Sequence, residues 1–234
     1  MSPSSPPASP PDVGVLVPAA GRGERAGTGV PKQFRPIAGV PMLLRSIRPF
    51  AQHPRVRAIV IALPPDVAAA PPAWLTPVLG ERLRVVAGGA TRAASVRAAL
   101  AALDADCRIV LVHDAARPFV SPAEIDGVIA AAERGSGAIA AIPVSDTLKR
   151  STDGHAVSGT APRDGLWRAL TPQGFPRLLF ERAYQAAGDA LDATDDAGIV
   201  EAAGEVVVLV PGRATNIKVT TPEDFAMAEA LARP

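Results

Sequence analysis

The residues best able to do chemistry are three cations set into a loop of small residues. Arg22, Arg25 and Lys32 stand among Ala19, Ala20, Gly21, Gly23, Ala26, Gly27 and Gly29. Such a loop packs no core. Its glycines let the backbone approach a ligand closely, its free N–H groups form a nest, and its cations neutralise charge. That is phosphate-binding chemistry, and three readings compete for it. The first is a surface loop with solvated charges. The second is a dinucleotide fingerprint, because Gly21-x-Gly23-x-x-Ala26 fits G-x-G-x-x-G/A. That fingerprint needs a helix opening inside the motif and an acidic residue closing the next strand, about 20 residues on. Here Gly27, Gly29 and Pro31 prolong the loop, and the next strand candidate, residues 58–63, ends in Pro64-Pro65. The third is a nucleoside-triphosphate loop in which Arg25 and Lys32 flank the phosphates. A P-loop is excluded, since no Gly-Lys-Ser/Thr opens a helix.

Three further stretches carry polar groups at strand ends. In Gly88-Gly89-x-x-Arg92-x-x-Ser95 the glycines are either a tight turn or a close approach to a ligand. His113-Asp114-Ala115-Ala116-Arg117-Pro118 closes the apolar run 109–112. Asp114 and Arg117 either pair to fix that turn or face a ligand. His113 has no second histidine or carboxylate at ligand spacing and is not read as a metal ligand. Asn216-Ile217-Lys218-Val219-Thr220 follows a late apolar run, and a single lysine in such a place is ordinarily solvated.

The elements that must position these residues follow from periodicity. Residues 13–17 form a short, β-branched, charge-free run, as in a strand buried on both faces of a parallel sheet. Similar runs occupy 58–63, 83–87, 109–112, 138–144 and 206–210. Helical patterns lie between them at 41–52, 91–103, 122–134, 176–187 and 195–203, with Pro49 weakening the end of the first. Ser121-Pro122 and Thr221-Pro222-Glu223-Asp224 read as helix starts. Strands alternating with helices predict an α/β fold with a doubly wound, mostly parallel sheet. Residues 146–166 break the pattern, and Asp153-Gly154 marks a hairpin turn in a protruding arm.

Composition bounds the function. The 234 residues suit one domain, residues 13–234, after a Pro/Ser-rich tail at 1–12 read as disordered. An apolar content of 48% and a net charge of +1 argue against nucleic acid or an anionic membrane as the partner, so phosphate binding must rest on local cations. No apolar run is long enough for a membrane span. The tail has neither the basic segment nor the apolar core of a secretory signal. With Cys107 as the single cysteine, the expected location is the cytoplasm.

Taken in chain order, the motifs resemble the 2-C-methyl-D-erythritol 4-phosphate cytidylyltransferase family of the non-mevalonate isoprenoid pathway. The resemblance rests on Pro18-Ala19-Ala20-Gly21-x-Gly23-x-Arg25, Pro31-Lys32-Gln33-Phe34, Gly88-Gly89-x-x-Arg92-x-x-Ser95, His113 to Pro118 and Asn216 to Thr220. Asp146-Thr147-x-Lys149, Arg163-x-Gly165-Leu166-Trp167, Leu170-Thr171-Pro172-Gln173 and Thr194-Asp195-Asp196 extend it. It implies a Rossmann-like nucleotide-diphospho-sugar transferase fold and two substrates, CTP and a polyol phosphate. Pro18, Ala19, Ala20 and Gly21 would then contact CTP. The backbone near Gly89 and the Ser95 hydroxyl would help select cytosine. Asp114, Arg117, Thr147, Thr171 and Thr194 would serve substrate binding, with Asp114 on substrate hydroxyls. Lys218 would hold the sugar phosphate, with Arg163 as a second anchor donated by the arm of a partner in a homodimer. Mg²⁺ would be held mainly by CTP phosphates and waters. Ala90 and Thr91 replace acidic residues common in the family, which puts a side-chain contact at Ala90 in doubt. Ala26 replaces a common methionine. Ending after a capped helix, the chain is expected to carry no fused cyclase.

The implied reaction is in-line attack by the sugar phosphate on the α-phosphorus of CTP, with pyrophosphate leaving. The nucleophile is already an anion, so catalysis falls to positioning and charge stabilisation by Arg25, Lys32, Arg163 and Lys218. Rival readings are a cytidylyltransferase for another polyol phosphate, such as ribitol 5-phosphate, and a non-catalytic nucleotide sensor.

Overall fold

The computed structural model describes residues 10–21, 31–188 and 193–233. In chain order its elements are β1 (Val13–Pro18), β2 (Pro36–Ile37), β3 (Val40–Pro41), α1 (Met42–Gln52), β4 (Val56–Leu63), α2 (Pro65–Ala69), β5 (Leu83–Ala87), α3 (Arg92–Ala101) and β6 (Ile109–Val112). There follow α4 (Pro122–Glu133), β7 (Gly137–Pro143), β8 (Leu148–Arg150), β9 (Gly159–Ala161), β10 (Trp167–Pro176), α5 (Arg177–Ala187), α6 (Asp196–Ala202), β11 (Val207–Pro211) and α7 (Pro222–Leu231).

Seven strands form one sheet in the order β11-β7-β10-β6-β1-β4-β5. The alternation of side chains along β1 explains why it is central. Val13, Val15 and Val17 point to one face, into a core shared with Leu43, Ile47 and Phe50 of α1 and with Ile125 and Val128 of α4. Leu16 points to the other, into a core with Val96 and Leu100 of α3 and with Phe180 and Tyr184 of α5. With both faces covered, an unbroken apolar strand is the stable choice. Gly14 leaves room for Leu103: a Cβ there would lie 2.4 Å from Leu103 Cδ2 and force that side chain to move. A smaller cluster of Ile37, Met42, Val219 and Phe225 seats α7 against the β2–β3 hairpin.

The expected mostly parallel sheet is present, with one strand the apolar pattern does not reveal. β10 runs antiparallel between β6 and β7. Its residues 170–173 show no strand pattern, because Thr171 and Gln173 are polar and Pro172 lacks an N–H. Both polar side chains are buried against partners, and the pairing register slips between Ala169 and Gln173. The helix expected over 41–52 is present, and Pro49 does not cut it short. Helix α1 runs through it to Gln52, because Met42, Leu43, Ile47 and Phe50 bury one face.

Helix starts follow local chemistry. Ser121 accepts from Glu124 N while the Glu124 carboxylate reaches back to the Ser121 backbone, and Thr221 and Asp224 repeat the arrangement in α7. Strands β8 and β9 pair as the predicted hairpin. Asp153 shapes its turn by accepting from the backbone N–H groups of His155 and Ala156.

Candidate active site

In a parallel α/β sheet, ligands bind beyond the carboxyl ends of the strands. Here the ends of β1, β5 and β6 surround a cleft of about 240 Å³. It gathers residues far apart in sequence: Pro18, Ala20, Gly21, Lys32, Gly89, Arg92, Ser95, Asp114 and Lys218.

Each is positioned by specific contacts. The segment after β1 is pinned by Gln33, whose Nε2 donates to the carbonyls of Ala19 at 2.8 Å and Gly21 at 3.2 Å. Gln33 is buried, so this anchor sets Lys32 beside the cleft. The segment after β5 lies against the first. A Cβ on Gly88 would meet Ala20 Cβ at 2.5 Å, and one on Gly89 would meet Ala94 Cβ at 2.4 Å. The two glycines are therefore demanded by close packing. Ser95 Oγ accepts from Gly89 N at 3.2 Å and donates to the Thr91 carbonyl at 3.0 Å, shaping the turn into α3. Loop 216–220 is tied to the end of β6 by Val219 N donating to the Ala116 carbonyl at 2.8 Å. That tie brings Lys218 Nζ within 2.8 Å of Asp114 Oδ2.

Asp114 is the electrostatic centre. Burial works to raise its pKa, but Arg92, Lys218 and Arg117 outweigh burial and hold it well below the usual carboxylate range. It is ionised at any physiological pH. Arg92 reaches its Oδ1 at 3.3–3.4 Å. Burial also works against the Arg92 charge, yet Asp196 and Asp114 prevail and raise its pKa.

A layer of buried polar groups supports Asp114 from beneath. The Thr171 hydroxyl oxygen accepts from Asp114 N at 3.1 Å, and His113 Nδ1 lies 2.9 Å from it. His113 Nε2 lies 3.0 Å from the Arg117 carbonyl. Complete burial pushes the His113 pKa down to about 4. A neutral ring between a carbonyl and a hydroxyl fits one tautomer: Nε2–H donates to the carbonyl, and Nδ1 accepts from Thr171. Arg117 Nη1 donates to the Asn216 carbonyl at 2.8 Å. Asn216 Nδ2 donates to Thr171 O at 2.9 Å and Glu124 Oε1 at 3.0 Å.

Of the residues named from sequence, Pro18, Ala20, Gly21, Lys32, Gly89, Ser95, Asp114 and Lys218 meet in the cleft. Ala19 is buried behind it, and Arg117 and Thr171 form its floor. Thr147, Arg163 and Thr194 are exposed and lie outside it within one chain. Arg163 bonds the Ser145 carbonyl at the base of the arm. Arg25 lies outside the described residues. Sequence reasoning gave no role to Arg92, Gln33 or Asp196. Their signal was membership in the motifs around Gly89, Lys32 and Thr194; the contacts that give them work are long-range.

Among the described residues no cluster of three His, Cys, Asp or Glu side chains could hold a metal. No helix among them is long and apolar enough to cross a membrane. The family model described as IspD: 2-C-methyl-D-erythritol 4-phosphate cytidylyltransferase matches residues 13–233. A Frankia casuarinae protein of that name is 46% identical over 96% of this chain and 83% of its own. A Saccharopolyspora erythraea protein of the same name is 46% identical over 92% of this chain and 97% of its own. The crystal structure of 2-C-methyl-D-erythritol 4-phosphate cytidylyltransferase from Thermus thermophilus superposes with a TM-score of 0.81 at 39% identity, covering 95% of this chain and 100% of that one.

Proposed function

The chain belongs to the 2-C-methyl-D-erythritol 4-phosphate cytidylyltransferase family, and we propose that the cleft around Asp114 is where it performs that family's reaction. The enzyme transfers CMP from CTP to 2-C-methyl-D-erythritol 4-phosphate, giving 4-diphosphocytidyl-2-C-methyl-D-erythritol and pyrophosphate in isoprenoid precursor synthesis. The observation that carries the placement is the convergence of Lys32, Arg92 and Lys218 on one cleft at the strand ends.

Two anions must meet for the reaction to occur. Lys32 and Arg25 offset the charge that grows on the α-phosphate and the departing pyrophosphate. Lys218, with Arg163 of the partner subunit, holds the attacking phosphate in line. The backbone of 18–21 and of Gly89 lies against the nucleotide, with Ser95 fixing the turn that presents Gly89. Asp114 takes the hydroxyls of the polyol, and Thr147 and Thr194 close the substrate site from outside the cleft. Arg117 and Thr171 act from beneath, by holding Asp114.

The cleft carboxylate Asp114 already faces Arg92 and Lys218, and among the described residues no cluster of side chains would hold a resident metal. Mg²⁺ would be held mainly by the CTP phosphate oxygens and water, and would supply neutralisation of part of the triphosphate charge. The arm exposes Val157, Leu166 and Trp167, which supports a homodimer formed through it. A nucleoside-triphosphate substrate fits a cytoplasmic location.

The test is pyrophosphate release from CTP, crossed against 2-C-methyl-D-erythritol 4-phosphate and ribitol 5-phosphate, for wild type and Lys32→Ala. Release with the first polyol alone, and a kcat for folded Lys32→Ala lowered about 100-fold or more, are expected. Near-normal turnover by the variant removes Lys32 from the mechanism. Preference for ribitol 5-phosphate overturns the substrate assignment.

A further inference from the structure

Arg92 is shared between two carboxylates, and the one outside the cleft is the more closely held. Its Nη2 lies 2.7 Å from Asp196 Oδ2, against 3.3 Å from Asp114 Oδ1. Asp196 begins α6, is completely buried, and does not line the cleft. Tyr184, on the buried face of α5, donates its hydroxyl proton to Asp196 Oδ1. The approach of Arg92 to Oδ2 is one of charge rather than of a well-directed hydrogen bond. Burial raises the Asp196 pKa, against the opposing pull of Arg92 and the Tyr184 hydroxyl; with Asp196 ionised, the groups alternate in sign: Asp196, Arg92, Asp114, Lys218.

A buried carboxylate is costly unless a cation stays beside it. Asp196 therefore keeps Arg92 from closing fully on Asp114. The second oxygen of Asp114 is left to Lys218 at 2.8 Å. Remove the Asp196 charge, and Arg92 has Asp114 as its remaining carboxylate partner. It then competes with Lys218 for the same group.

We infer that Asp196, oriented by Tyr184, is a positioning residue that sets how Asp114 is divided between Arg92 and Lys218, and so fixes the lysine that meets the sugar phosphate. Asp196 is buried and does not line the cleft. The inference rests on the proposed role of Lys218 and deepens it.

The test is steady-state pyrophosphate release at saturating CTP with the sugar phosphate varied, on Asp196→Asn, Lys218→Ala and the double variant, with thermal unfolding alongside. Asp196→Asn is expected to raise KM for the sugar phosphate about 5-fold or more, with a much smaller change in KM for CTP. In the Lys218→Ala background the same substitution is expected to change that KM no further, because no lysine remains to be misplaced. A lower melting temperature with unchanged KM, or an equal rise in both backgrounds, is the signature of a merely structural role and overturns the inference. If Asp196→Asn does not fold, Tyr184→Phe replaces it: the ring packing is kept and the donor removed. It should raise the same KM by a smaller factor, and no rise overturns the inference. Lys218→Ala without effect on sugar-phosphate KM overturns the assignment of Lys218 itself. A Lys218→Ala effect with none from Asp196→Asn overturns the inference alone.

Discussion

Gly88→Ala measures how closely the two sides of the cleft proposed for the nucleotide are fitted. The new Cβ would lie 2.5 Å from Ala20 Cβ, 2.9 Å from Ser95 Oγ and 3.3 Å from the Leu63 carbonyl. Ordinary contact begins at 3.4 Å, so the segment at Ala20 must retreat by about 0.9 Å. Overpacking of this kind costs about 1–3 kcal/mol. In a chain of this size each kcal/mol lowers Tm by about 2–4 °C, so a fall of roughly 2–12 °C is expected. The enzyme stays folded at 25 °C on that scale. Activity should suffer far more. A shift near 1 Å in a positioning group costs about 100-fold, so kcat/KM for CTP should fall by about that factor. The assay is pyrophosphate release with CTP varied, paired with calorimetry. Gly80→Ala serves as the control, because nothing lies within 4 Å of its Cβ position; it should leave both readings near wild type. A Gly88→Ala enzyme with kcat/KM for CTP within about 3-fold of wild type would refute the argument that this contact holds the loop in register.

Two further outcomes are expected. His113 should keep a neutral ring in the folded protein until pH falls to about 4, against 6.5 for an ordinary histidine. The unfolded chain binds its proton first, so this residue contributes about 3 kcal/mol of stability above pH 6.5, lost progressively as pH falls toward 4. Histidine NMR titration checks it, and a His113 midpoint near 6.5 would contradict the burial argument. Glu124 is buried and accepts from Ser121 N and Oγ at 2.8 Å and from Arg213 N and Asn216 Nδ2 at 3.0 Å. Glu124→Ala strands those donors, and urea unfolding should report a loss of about 3 kcal/mol or more. A loss under about 1 kcal/mol would mean that water replaces the carboxylate.

The strands that frame the cleft were legible because burial on both faces writes itself as an unbroken apolar run, as in β1 and β6. The segment 18–21 was legible because its small residues permit close packing, as where a Cβ on Gly88 would meet Ala20 Cβ at 2.5 Å; residues 22–30 lie outside those described. Strand β10 was hidden because Thr171 and Gln173 satisfy their polar groups inside the core, through His113 and Asp114 on one side and Asp195 and Ala197 on the other. A sequence shows their polarity and not their partners. Asp114 and Lys218 stood out as charges at strand ends, but the arrangement that joins them through Arg92 to Asp196 depends on α3 and α6 folding beside the same sheet. Arg163 was read from the arm, and within one chain it stays there.

Strand β10 leaves the hairpin at Trp167 and continues as one ribbon into the sheet between β7 and β6, where Thr171 meets His113 under Asp114. Whatever grips the hairpin therefore grips backbone anchored under the Asp114 cleft. A pull or twist applied at the periphery has a direct mechanical route inward, along a continuous covalent chain, to the histidine that props up the central aspartate.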